Sequence, residues 1–309
     1  MSWIKVFIIN ITFTLALVGG LLVLPPLAIL VHEVMFPPDK LATENKKIGY
    51  DVYKDYEWAR KHFEEFAQLK TSYYDFITWR RNDFSGETIQ IRDGVRSTSR
   101  ISDDKTDRRE FWFFGGSTTW GSGVTNEYTY PSIFAKENNV NAKNFGESGY
   151  VARQSLAFLT NILVRNDEFK DLNNKHVIFY DGVNEVESHC RVEADGFGTV
   201  RQAQIRKMVA DRWSFERTFG QLTTFVNNIF RVYKTPLDMS AAFVCSKDYS
   251  RAYEVALSLV NSWAVASDLV KSRGGEFTAI LQPVSYIGKP IIGYLDLNST
   301  TDKVLSEQY

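Results

Sequence analysis

Phe111-Trp112-Phe113-Phe114 is a run of four aromatic residues closed at once by Gly115-Gly116-Ser117. A short apolar run ended by glycines predicts a strand covered on both faces, which is how the strands of a parallel sheet read. His176 to Tyr180 repeats the pattern and runs into Asp181-Gly182-Val183-Asn184-Glu185. Between these runs, 130–138 and 153–165 read as helices, with a short strand over 141–145 separating them. Further on, Tyr249 to Lys271 predicts a long helix that buries Tyr253, Ala256, Leu257, Val260, Trp263, Ala264 and Val270 and is closed by Gly274-Gly275. Glu276 to Leu281 predicts another strand. Strands alternating with helices imply βαβ units with right-handed crossovers, and so an α/β domain with a mainly parallel sheet.

The flanking segments set the expected organisation. From Val6 to Val31 the chain carries no charge, a run longer than the roughly 20 residues that cross a hydrocarbon core. It also exceeds the apolar region of a cleavable signal, so an uncleaved single-pass anchor over residues 1–35 is expected, with a kink or end at Pro25-Pro26. Residues 36–106 form a juxtamembrane lead-in: 58–69 predicts a surface helix, and 86–98 alternates and turns at Asp93-Gly94. Residues 107–309 form the α/β domain, with an amphipathic helical insertion at about 195–235 that carries Ile205, Met208, Val209, Phe219, Leu222 and Val226.

Charge and composition exclude several function classes. Lys and Arg number 36 against 37 Asp and Glu, a net charge of -1, which argues against nucleic acid as a partner. Two cysteines and four histidines rule out a disulfide-rich miniprotein and a Cys/His zinc scaffold. Cys190 and Cys245 suit one disulfide in an oxidising compartment or two buried thiols equally well. Asn298-Ser299-Thr300 is a glycosylation sequon, relevant only in a eukaryotic secretory context. GGSTTWG lacks both the lysine of a phosphate-cradling loop and the dinucleotide spacing. Glu147, Asp181 and Glu185 invite comparison with paired catalytic carboxylates. Without a histidine cluster they read as loop residues that are solvated or hydrogen-bonded to the site.

Working loops of open α/β sheets lie at the carboxyl ends of the strands. Three such ends stand out: Gly115-Gly116-Ser117-Thr118-Thr119, Gly146-Glu147-Ser148-Gly149-Tyr150 and Asp181-Gly182-Val183-Asn184. A serine hydroxyl, a glycine amide and an asparagine amide meeting at one point can hold the oxyanion of a tetrahedral acyl intermediate.

At these residues, in block order over roughly Tyr50 to Pro283, the chain resembles the SGNH (GDSL-type) hydrolase superfamily. The resemblance implies a flavodoxin-like three-layer α/β/α fold. It implies Ser117 as nucleophile, with the Ser117 N–H, the Gly149 N–H and the Asn184 side chain as the oxyanion hole. Trp79-Arg80-Arg81, Gly86 and Asp93-Gly94-Val95-Arg96-Ser97-Thr98 are similar to a lead-in of membrane-anchored bacterial members. The chain departs from the pattern in reading GGS for GDS and NE for ND. It also carries no histidine after His189, whereas the superfamily's last block, Asp-x-x-His, supplies the base. Either that block is expected in residues beyond Tyr309, or another residue substitutes. His189, five residues after Asn184, is the candidate at the right end of the sheet. His176 precedes its strand, His62 sits in the charged helix and His32 borders the anchor.

The expectation is a membrane-anchored serine esterase or acyltransferase with its domain in the periplasm or outside the cell. It would act on an acylated polysaccharide, a lipid or a small ester, with no metal or organic cofactor. The rival expectation is a non-catalytic envelope protein that binds glycan or assists assembly.

Overall fold

The computed structural model describes residues 53–99, 109–165, 171–192, 194, 196–199, 202, 205–206, 242–285, 287–288 and 300–309, together with 3, 7 and 9–14. The chain divides into two compact units, Met1–Thr43 with Lys207–Leu237, and Glu44–Arg206 with Asp238–Tyr309. In the first unit residues 9–14 are helical, and Ile9, Ile11 and Phe13 are exposed. Among the described residues no helix is long and apolar enough to cross a membrane. Most of the expected anchor, His32, most of the helical insertion, and Asn298 and Ser299 of the sequon lie outside the described residues.

The second unit is a mixed α/β domain. Its strands are β1 (Thr71–Tyr74), β2 (Thr78–Arg81), β3 (Phe84–Ser85), β4 (Gln90–Arg92), β5 (Val95–Arg96), β6 (Glu110–Gly115), β7 (Asn141–Asn144), β8 (Lys175–Asp181) and β9 (Glu276–Leu281). Its helices are α1 (Glu57–Gln68), α2 (Ser117–Trp120), α3 (Tyr130–Asn138), α4 (Ala152–Arg165), α5 (Val183–His189), α6 (Tyr249–Lys271) and α7 (Thr300–Ser306). β1 and β2 form a separate antiparallel hairpin. The other strands form one sheet in the order β3-β4-β5-β7-β6-β8-β9.

The expected parallel strands are present. β6 pairs in parallel with β7 and β8, and β8 with β9. The aromatic run of β6 is covered on both faces, as its composition predicts. Trp112 and Phe114 share a core with Phe158 and Leu159 of α4 and Ala266 and Val270 of α6. Phe111 and Phe113 pack instead against Tyr130 and Phe134 of α3.

The sheet is mixed, however, not mainly parallel. The lead-in adds β5, β4 and β3 antiparallel along the outer side of β7, beginning with Arg96 opposite Asn144. Its hairpin closes through Asp93 and Gly94 at φ 52° and 68°, the left-handed pair that tight two-residue hairpins use. Thr98 Oγ1 donates to the Ala142 carbonyl at 2.6 Å and holds the addition in place.

The buried face of α6 also differs from expectation. Val255, Leu259, Ser262, Ala266 and Val270 are buried, whereas Tyr253, Leu257 and Val260 are exposed. The helix is apolar on most sides, so periodicity alone does not select the face that meets the sheet. α1 is no pure surface helix either, since Ala59, His62, Phe63 and Glu65 are buried. Cys190 and Cys245 form a disulfide inside a small cluster with Phe243, Val255 and Val304.

Within the parallel strands the order is β7-β6-β8-β9, so the chain passes to opposite sides of β6 on successive returns. Connections leaving the β6 and β8 ends therefore diverge and open a crevice between them, the position at which α/β sheets build their sites.

Candidate active site

Ser117 and Asn184 stand at that crevice. Ser117 opens α2 immediately after β6, is half-buried, and its hydroxyl has no hydrogen-bond partner among the described residues. The far end of α2 is tied down by an arginine of the lead-in. Arg96, fully buried, donates through Nη1 to the Trp120 and Gly121 carbonyls and through Nη2 to the Val124 carbonyl at 2.6 Å. Asn144, the last residue of β7, donates to the Thr119 carbonyl at 2.8 Å.

The second strand end carries Gly149. The Tyr150 N–H donates to the Glu147 carbonyl at 3.2 Å, closing a turn in which Gly149 adopts φ 77°. A third turn residue with positive φ calls for glycine. Glu147 is buried and is held by the Arg81 N–H at 2.9 Å, by the Ser148 N–H at 2.8 Å and by an ion pair with the Arg81 guanidinium. It is thus a structural carboxylate neutralised by β2, not a solvated loop residue.

The third strand end carries Asn184, near the start of α5. Its Nδ2 donates to the Tyr150 carbonyl at 2.6 Å and lies against Gly116, where a β-carbon would displace it. A glycine at 116 therefore lets the Asn184 amide approach the backbone closely. A primary amide has two N–H bonds, so one remains uncommitted among the described residues. The fold thus sets Asn184 against Gly116, the residue before Ser117, and against the carbonyl of Tyr150, the residue after Gly149.

It does not bring His189 to them. His189 ends α5, donates from Nε2 to the Gly198 carbonyl at 3.1 Å and meets the Phe197 ring edge-on. Its Nδ1 is buried with no hydrogen-bond partner among the described residues, and burial lowers its pKa. No hydrogen bond links it to Ser117. His176 lies at the opposite end of the sheet, hydrogen-bonded to Thr278 at 2.8 Å. His62 is buried beside Thr88, 3.3 Å from its hydroxyl.

Behind Asn184 lies a pair of buried carboxyls. Glu185 accepts from the Gly182 N–H at 2.9 Å and from the Ala152 N–H, joining the starts of α4 and α5. Asp181 accepts from Trp263 Nε1 at 3.2 Å and from the Ser155 hydroxyl at 3.4 Å. Burial raises the pKa of both, and the neighbouring Glu185 raises that of Asp181 further. Among the described residues no three histidine, cysteine or acidic side chains are grouped to hold a metal ion.

Sequence reasoning missed one neighbour of the site. Gln282, just past β9, donates to the Thr118 hydroxyl at 2.9 Å, and its N–H donates to the Asp181 carbonyl at 2.8 Å. A polar residue directly after a parallel strand was the available signal.

No protein-family profile and no curated protein matches this sequence. Among solved structures, a mutant of the esterase AlinE4 is similar at 13% identity and a TM-score of 0.25, over 57% of this chain and 77% of that one.

Proposed function

We propose that the chain is a serine acyl hydrolase or acyltransferase of SGNH type, built on a three-layer flavodoxin-like sheet. The observation that supports this reading is the contact of Asn184 with Gly116 and with the Tyr150 carbonyl, the chain neighbours of Ser117 and Gly149. Ser117 Oγ attacks the ester carbonyl, and its proton passes to a general base. The oxyanion is held by the Ser117 and Gly149 N–H groups and the free Asn184 N–H, where one such donor is worth about 3 to 4 kcal/mol. Collapse expels the alcohol and leaves an acyl-Ser117 ester. Water, or a sugar hydroxyl in a transferase, then releases the acyl group.

Acylated glycan or lipid is the proposed substrate class, with attachment to a membrane through residues 6–31 and the domain outside the cytoplasm. The Cys190–Cys245 disulfide supports an oxidising compartment.

The specific observation favouring the rival reading, a non-catalytic acyl-glycan binder, is that His189 is engaged with Gly198 and not with Ser117. A fluorophosphonate probe separates the two. An active hydrolase is labelled at Ser117, and Ser117→Ala abolishes both labelling and ester turnover without changing the melting temperature. A folded protein that is neither labelled nor able to turn over short-chain esters takes the binding role.

A further inference from the structure

A groove of about 760 Å³ lies between the β1–β2 hairpin, the β4–β5 turn, β7 and the last turns of α4. It reaches Glu110 and Asn141, which begin β6 and β7, whereas Ser117 follows the other end of β6. At about 3.3 Å per strand residue the two ends are roughly 20 Å apart.

The groove is basic in a protein of net charge -1. Its described lining holds Arg80, Arg92, Arg96, Lys143 and Arg165 against Asp93 and Glu110. Some of these cations are committed. Lys143 pairs with Glu110 at 3.1 Å, Arg165 lies 3.9 Å from Asp75, and Arg96 is spent on backbone carbonyls. Among the described residues no carboxylate comes within ion-pair distance of Arg80 or Arg92.

Arg80 is the unusual member. It is only 7% exposed, and among the described residues no group accepts a hydrogen bond from its Nη2. Its guanidinium carbon lies 3.7 Å from the Phe158 ring centre and 5.3 Å from that of Tyr74. Gly94 closes over it, since a β-carbon there would strike the guanidinium. The ring faces and the more distant charge of Glu147 offset part of its desolvation, but a buried cation with no carboxylate in contact remains costly. Arg80, Asp93 and Gly94 line or close this groove and, among the described residues, make no hydrogen bond or ion pair with Ser117 or Asn184.

We propose that this groove binds a ligand bearing two or more oxyanion groups, carboxylate or phosphate, with Arg80 at its floor and Arg92 and Arg165 at its rim. Titration calorimetry of the whole chain with tripolyphosphate and with citrate tests this and distinguishes the two chemistries. At least one probe should bind, with affinity falling as salt rises. The rim variants Arg92→Glu and Arg165→Glu, both at exposed positions, should each weaken binding at least tenfold. Ser117→Ala should leave it unchanged. Arg80→Met should abolish binding, and its melting curve distinguishes lost binding from lost fold. Failure of both probes to bind at millimolar concentration, affinity unmoved by the rim charge reversals, or binding lost in Ser117→Ala would each overturn the proposal.

Discussion

Asn184 and Gly116 are in direct contact: the amide nitrogen of one fills the space a β-carbon on the other would take. The same nitrogen donates to the Tyr150 carbonyl at 2.6 Å, so Asn184 joins the ends of β6, β7 and β8. Asn184→Asp keeps the shape but turns a donor toward that carbonyl into an acceptor. Ester turnover should fall about 100- to 1000-fold, the value of one oxyanion donor. Gly116→Ala should lower kcat by displacing the amide. Wild-type kcat in Asn184→Asp would remove Asn184 from the proposed oxyanion hole.

Arg81 and Glu147 form the buried ion pair that fixes the Gly149 turn. Arg81→Met leaves Glu147 buried without its counter-ion, and should cost about 3 to 5 kcal/mol in urea unfolding. Adding Glu147→Gln should restore part of that loss, because the stranded charge is gone. A double variant no more stable than Arg81→Met would show that the backbone contacts of Glu147, not its charge, hold the turn.

Burial pushes the pKa of His62 from 6.5 down to about 4, helped by Arg96 and opposed by Glu65. The fold favours the neutral ring. The stability linked to it is complete above pH 6.5 and is lost as pH falls toward 4, by roughly 3 kcal/mol. His62→Phe, set among Trp58, Phe63 and Phe66, should flatten the stability curve over that window. An unchanged acid limb in the variant would assign the loss to other groups.

Asp181 has the opposite sign. Its pKa is raised by burial and then by Glu185, so the folded state holds its proton more tightly than the unfolded chain does. Its contribution is complete below the ordinary value of 3.8 and is lost as pH rises through the folded value. Asp181→Asn can still accept from Trp263 and can donate to Ser155. Its stability relative to the parent should grow with pH from about 4 upward, read from urea midpoints. A difference independent of pH would show that Asp181 is ionised in the fold.

The Cys190–Cys245 disulfide closes a separation of 55 residues. Loop entropy for that length corresponds to about 4 kcal/mol, and replacing both cysteines by alanine should lower stability by that order. A loss under about 1 kcal/mol would mean that the segment is already ordered by the Phe243, Val255 and Val304 cluster without the bond.

Much of the scaffold was legible because its signals are local. The aromatics of β6, the apolar run of β8 and the 23 residues of α6 declare themselves within one element, and α3, α6 and β9 lie at the expected bounds. The lead-in was only half legible. Its hairpin follows from Asp93-Gly94, but the pairing of Arg96 with Asn144 joins segments 48 residues apart, and no local pattern encodes such a partner. The roles of Arg81, Arg96 and Gln282 were hidden for the same reason, since each meets its partner across the fold.

Sequence alone determined which residues are strand or helix formers and which loops follow the strands, because backbone sterics and apolar periodicity act over a few residues. Only the tertiary structure decided that the sheet is mixed, that α6 buries Val255 and Leu259 instead of Tyr253 and Leu257, and that His189 turns to Gly198. Those outcomes depend on which surfaces compete for the same core, and burial is a property of the packed chain, not of any one segment.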